Sequence, residues 1–424
     1  MPTPLAPGRN GRSAGGFLRS GVPLAAATLV SGILSYGFNL ILTRALGPEG
    51  FGAMGALLGA AVIGSVPATA LQLEVARLVA SGQAVGARWL VGRAALSVSV
   101  ASLVCGLALA PLIDHVLRLH SIWDAVLLAL LLFPQTLTGA LTGFLLGHRR
   151  IDLFAMVVVS IGVTRLAAAV VTQLADGGIT FALSATVVSA GASMALGLWA
   201  VRRCGPWDDR APHPGARRFV VGLSRAAAGA AALMVLLNVD LLAARAVLGD
   251  NSSGQYAFLT IFGRMTFWGT SFLSLWVFPR VAGSSGARRA IRLSVVAVAA
   301  GGVLAVSTAS ILRDELVALL AGPAYASSTP YVGAFALAGA LIALVQLGTY
   351  VDVARGRHEL TFAAWAGALL VAGAVFVSGA SSISAIITIA NTVLALLAVL
   401  SLISFRGASP TAEPRTSTTI VPTS

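Results

Sequence analysis

LILTRALGPEGFGAM (40–54) and LLAARAVLGDNSSGQYAF (241–258) are two versions of one phrase. Each runs from an aliphatic stretch into Arg-Ala, then Leu-Gly, a polar turn, and a Gly with an aromatic nearby (Gly50 with Phe51, Gly254 with Tyr256). Glycine admits the positive φ that a tight helix–helix turn needs. The position of Arg44 and Arg245, at the ends of apolar runs, predicts anchoring at the outer headgroups. Repeats of this sort build transporter folds, with the site at the interface between the copies.

The rest of the chain surrounds this pair with apolar sequence. Of 424 residues, 57% are hydrophobic and only 10% charged, against about 25% charged in an ordinary soluble domain. With a mean hydropathy of +0.90, the main solvent of the surface is lipid. The apolar runs reach the roughly 20 residues a helix needs to cross hydrocarbon, and the short alternating runs of a membrane barrel are absent. The reading is an all-α polytopic membrane protein of about twelve transmembrane helices in two six-helix lobes. Expected spans lie near 21–43, 51–73, 92–112, 124–146, 153–174, 179–201, 219–248, 255–279, 290–312, 331–351, 359–379 and 382–405. They divide the chain into an N-terminal segment (1–20), a first lobe (21–201), a linker (202–218), a second lobe (219–405) and a disordered tail (406–424).

The net charge of +13 does not mark a nucleic-acid binder, because the arginines are scattered between apolar spans and no basic domain exists to hold a duplex. All 28 basic residues are arginine, so there is no lysine for a P-loop or a Schiff base. Cys105 and Cys204 are isolated and the five histidines never pair at metal-ligand spacing; no disulfide framework, metal or cofactor is expected. Most arginines fall in the even-numbered connections, among them Arg149 and Arg150, Arg202 and Arg203, and Arg288 and Arg289. The positive-inside rule then places both termini in the cytoplasm and the odd-numbered connections outside.

An ionisable group at membrane depth costs from about 2.5 kcal/mol upward and needs a partner or a task. Four qualify: Arg165 in span five, Arg225 and Asp240 in span seven, and Arg264 in span eight. Arg225 sits two turns inside and is expected to snorkel, with a gating or ion-pair role alongside Asp240 as the other reading. Arg165 and Arg264 are deep, and a guanidinium matches a diphosphate bidentately, so both are candidate substrate-binding residues. Asp240 and Arg264 lie at nearly equal depth on either side of the turn at 249–254 and are expected to form a gating ion pair. Glu74 and Arg77 should pair locally. Phe258, Phe262, Phe267, Trp268 and Trp276 are expected to face lipid.

RALGPEGFGAMGALLGAAVIGSVPATALQLEVARLVA (44–80) resembles the amino-terminal signature of polysaccharide-biosynthesis flippases, which belong to the multidrug/oligosaccharidyl-lipid/polysaccharide (MOP) exporter superfamily. Asp240 followed by LGDNSSGQYA (248–257) is similar to the start of that family's second half, and ELVALLAGPAYASSTPYVGAFALAGAL (315–341) with VARGRHEL (353–360) to its ninth-to-eleventh-span region. The resemblance implies a MATE-like, V-shaped pair of lobes around a central cavity. It also implies alternating access for undecaprenyl-diphosphate-linked oligosaccharide at the cytoplasmic membrane, alongside a polysaccharide polymerase and assembly proteins. Two related transporters compete: a peptidoglycan-precursor flippase, which would usually have further spans, and a drug exporter, which should bury carboxylates for organic cations. A membrane glycosyltransferase or polymerase is disfavoured, because the short outer connections leave little room for a positioned acid or base.

Overall fold

The computed structural model describes residues 13–81, 88–204, 216–281, 287–354 and 357–406. Most of the linker and nearly all of the tail expected from sequence lie outside this set, as does the side chain of Trp276. The described residues are helical throughout, with no strand. The first six helices are α1 (Ser13–Gly64), α2 (Val66–Ala80), α3 (Arg88–Leu117), α4 (Ile122–Gly147), α5 (Ile151–Leu174) and α6 (Ile179–Arg202). The second half comprises α7 (Ala216–Leu236), α8 (Val239–Val247), α9 (Asp250–Val281), α10 (Ala287–Ile311) and α11 (Arg313–Leu320), then α12 (Val332–Ala354), α13 (Glu359–Val377) and α14 (Ile383–Arg406). A 3-10 segment, Pro323–Tyr331, joins α11 to α12.

Ten of these helical stretches are long and apolar enough to cross a membrane. The first, Ala26–Ala80, has 55 residues; at 1.5 Å per residue it would extend about 80 Å, far more than one bilayer. It is broken at Gly47, whose φ of 61° and ψ of −178° leave the helix, so it makes two passes meeting at the RALGPEG turn. With α9, at 32 residues, the passes number about twelve. Large apolar side chains such as Leu304, Phe362, Leu369 and Val377 stay exposed, as lipid-facing residues should.

Helix ends are set by local chemistry. Ser121 caps α4, its hydroxyl accepting from the Trp123 N–H at 3.3 Å, and Asp124 sits in the first turn, where the helix dipole favours an anion. Thr180 of α6 donates to the Asp124 carboxylate at 2.7 Å, tying the two helices together. Three helices end at left-handed residues that are not glycine: Arg118, Asp176 and Arg149.

The first lobe packs α1 on α5, α2 and α3 on α4, and α6 on both α4 and α5. Small residues permit the tightest crossing: any side chain at Gly139 or Gly143 of α4 would collide with the backbone of Ala68 or Gln72 of α2, a spacing of small residues typical of membrane helix pairs. The second lobe packs α9, α10 and α14 on α12, and α13 on α7, α8 and α14. Between lobes, α1 meets α9 and α2 meets α7. One apolar core, from Phe38, Leu42 and Met54 to Leu241, Phe258 and Phe335, is continuous across both lobes.

Two sequence expectations are corrected here. Span seven is two helices, α7 and α8, separated at Leu237–Asn238; the apolar run is unbroken there, but asparagine competes for backbone hydrogen bonds and weakens a helix interior. Of the α9 aromatics expected in lipid, Phe258, Phe262 and Phe267 are buried and Trp268 is exposed, because α1, α10 and α12 pack around α9.

Candidate functional site

The first lobe encloses a cavity of about 280 Å³ between α2, α4, α5 and α6. Arg165, past the middle of α5, lines it together with Gln72 and Gln135, and the other polar groups on its wall are hydroxyls. No carboxylate lines it, and among the described residues Arg165 has no hydrogen-bond or ion-pair partner. Thr164 and Ser193 share a hydrogen bond of 3.0 Å across the α5–α6 seam. The Gln135 side-chain oxygen is buried with no hydrogen-bond partner. Chemically this is an anion-accepting polar chamber: a cation is present, nothing in the wall neutralises it, and burial strengthens its field.

Arg264 occupies a different setting. It donates to the Asn238 side-chain oxygen at 2.7 Å, and Asp240 accepts from the Tyr256 hydroxyl at 2.9 Å. The ion pair expected from their matching depth is therefore replaced by two neutral partners, although both residues line one pocket. The helix break explains this: Asn238 caps the gap between α7 and α8, so its side chain is free to reach α9, and Asp240 lies in the first turn of α8. The pocket holds about 30 Å³, on the scale of one water and too small for a diphosphate. Arg225 is exposed on α7.

The two repeat arginines both bond across the lobes. Arg245 is 1% exposed; its guanidinium donates to the Leu117 carbonyl at 2.8 Å, the Arg118 carbonyl at 3.0 Å, Asp250 at 2.6 Å and Ser253 at 3.0 Å. Leu117 and Arg118 end α3, in the other lobe, where the left-handed Arg118 (φ 47°) turns the chain. Arg44 does the reciprocal thing, donating to the Leu319 carbonyl at the end of α11. Beside it the Tyr325 hydroxyl donates to the Thr43 carbonyl at 3.2 Å. Gly254 also lies directly against the backbone of Pro48. The odd-connection face is thus bolted across the lobes by the repeated phrase itself. At the opposite end Glu74 pairs with Arg77 at 2.6 Å, as expected, and packs against Gly222 of α7.

No group of His, Cys, Asp and Glu suited to a metal exists among the described residues.

No protein-family model matches the chain, and no curated protein matches it. Solved structures do. An inward-facing multidrug resistance MATE family transporter of the MOP superfamily aligns with a TM-score of 0.67 at 13% identity, covering 91% of this chain and 97% of that one. This chain has the MATE-like fold. An outward-facing MATE transporter aligns at 0.66 and 13% identity, over 92% and 94% of the two chains. A third structure with the MATE-like fold is a MOP superfamily transporter from Pyrococcus furiosus, described as having a binding pocket of reverse polarity; it aligns at 0.53 and 14% identity over 92% and 94%.

Proposed function

We propose that this chain is a transporter that moves undecaprenyl-diphosphate-linked oligosaccharide repeat units across the cytoplasmic membrane by alternating access, for surface polysaccharide biosynthesis. The observation that carries this reading is the polar cavity of the first lobe, with one unpaired guanidinium and no carboxylate. A site for organic cations needs the opposite polarity, because a buried cation repels its like. The MATE-like fold is common ground for both kinds of cargo, and the reversed pocket described for the archaeal structure supports the view that polarity and cargo change together within it. The sequence resemblance to polysaccharide flippases points the same way.

In this reading both termini face the cytoplasm, the bolted odd-connection face is external, and a polysaccharide polymerase and assembly proteins act beside the transporter. Orientation is checked by cysteine labelling in a Cys105→Ser, Cys204→Ser background: an impermeant reagent added to intact cells should label Ser252→Cys and spare Arg203→Cys. The reverse pattern would invert the topology. Function is checked by deletion. Lipid-linked repeat units should accumulate in the cytoplasmic leaflet while their synthesis continues; arrest of synthesis itself, in membranes supplied with sugar nucleotides, would replace the transporter with an enzyme.

A further inference from the structure

The cavity beside Arg165 has a hydrogen-bonding polarity of its own. A hydroxyl has one hydrogen to give and two lone pairs, and in helices Ser and Thr often spend that hydrogen on a carbonyl one turn back. Here every hydroxyl on the wall has such a carbonyl within reach, and the hydrogen that Thr164 and Ser193 share stays in the α5–α6 seam. Thr138 donates to the Pro134 carbonyl at 2.7 Å, Thr142 to Thr138 at 2.9 Å and Thr164 to Ser160 at 2.8 Å. Ser189 donates to Thr186 at 2.8 Å and Ser193 to Ser189 at 3.1 Å, and the two hydroxyls that α2 contributes do the same. What these groups turn towards the cavity is lone pairs. Gln135 adds a buried carboxamide oxygen with no partner. The hydroxyls make a field of acceptors, and the donors on the wall are the Arg165 guanidinium and the carboxamide N–H groups of Gln72 and Gln135.

A diphosphate does not fit that field. It carries more than one negative charge against a single guanidinium, and beyond Arg165 and the two glutamine amides its oxygens would meet lone pairs with lone pairs. A sugar ring fits better, since each of its hydroxyls brings a hydrogen, and one acidic substituent on the ring would engage the guanidinium in a bidentate pair. The volume, about 280 Å³, is on the scale of a single ring. We propose that the first-lobe cavity binds one acidic sugar of the repeat unit, a uronic acid or its equivalent, and that the diphosphate lies elsewhere. This rests on the transporter reading above and names the part of the cargo that the cavity selects.

The test uses the purified full chain and a matched pair of soluble probes: cellobiouronic acid and cellobiose, which differ by a carboxylate in place of a CH₂OH. Ligand-detected NMR should show the acid binding at least about tenfold tighter, the factor that about 1.4 kcal/mol represents. Arg165→Gln should erase that preference, and Arg165→Lys should retain part of it. Gln135→Leu should weaken both sugars alike while leaving the preference intact. Equal binding of the two sugars, or inorganic pyrophosphate binding as tightly as the acid with the same dependence on Arg165, would overturn the proposal. Proteoliposomes separate this from the transporter reading. With polyprenyl-diphosphate-linked forms of both disaccharides, movement of neither defeats the transporter and leaves the measured binding preference standing. Movement of both at equal rates, indifferent to Arg165→Gln, keeps the transporter and defeats the acidic-sugar site.

Discussion

Arg245 has its guanidinium in four hydrogen bonds, two to the other lobe and two to its own hairpin. A lysine has the charge without the fork, so it meets a fraction of those acceptors. Arg245→Lys should therefore lower stability by about 1–3 kcal/mol, the penalty of leaving buried acceptors unpaired. The repeat partner Arg44 is exposed and makes a single cross-lobe bond; Arg44→Lys should cost under about 1 kcal/mol. Thermal unfolding of both variants in one detergent checks the inequality, and equal losses would remove the distinction. The same logic applies to Asp240. Its donor is Tyr256, so Tyr256→Phe should destabilise by about 1–3 kcal/mol. The Asp240→Ala, Arg264→Ala double variant should lose less than the sum of its singles but not recover, because the two charges share one pocket while their hydrogen-bond partners are separate. Recovery in the double variant would restore the direct ion pair.

At the scale of elements, the α2–α4 crossing holds the cavity's shape. Gly139 and Gly143 bring α4 against the backbone of Ala68 and Gln72, and Gln72 and Thr138 both line the chamber beside this crossing. Gly143→Val should push the helices apart, at about 1–3 kcal/mol for an overpacked contact. The same change should widen the cavity enough to blunt its selectivity between matched sugars. Unchanged unfolding temperature and unchanged selectivity would show that the crossing has slack.

Elements also mark how far the sequence could be read. Apolar run length places helices along the membrane normal, so span positions, the Gly47 turn and the Glu74–Arg77 pair were legible. Run length carries no information about which way a helix face points. Hence the phenylalanines of α9 were expected in lipid and are in the core, and Arg245 was expected at headgroups and bridges lobes. Depth-matching had the same blind spot, bringing Asp240 and Arg264 level but leaving out Asn238, which takes the guanidinium. The break before α8 left only Asn238 as a signal. Arg165 was legible because a deep arginine is expensive wherever it points; the hydroxyls around it were not, since serine and threonine are cheap in any helix.

For the whole molecule, the lobes meet along α1 and α9, where a side chain at Gly55 would touch Ala257. The alternating access proposed above requires that seam to part at the odd-connection face. A disulfide between Gly55→Cys and Ala257→Cys, in a chain without Cys105 and Cys204, should hold it shut, with the small spreading needed to reach disulfide geometry. Transport in proteoliposomes should stop on oxidation and return on reduction. Continued transport by the fully oxidised protein would mean that the lobes do not separate at this seam.

The reciprocal arginines also give that separation an order in time. Arg44 holds its neighbour by one bond at an exposed site, whereas Arg245 holds by several in a site closed to water. In the proposed alternating access a parting of the two lobes would proceed as an unzipping, with the Arg44 corner fraying first and the Arg245 corner yielding last. In the proposed transport cycle the two versions of the phrase would be a latch that rattles and a latch that sets the tempo.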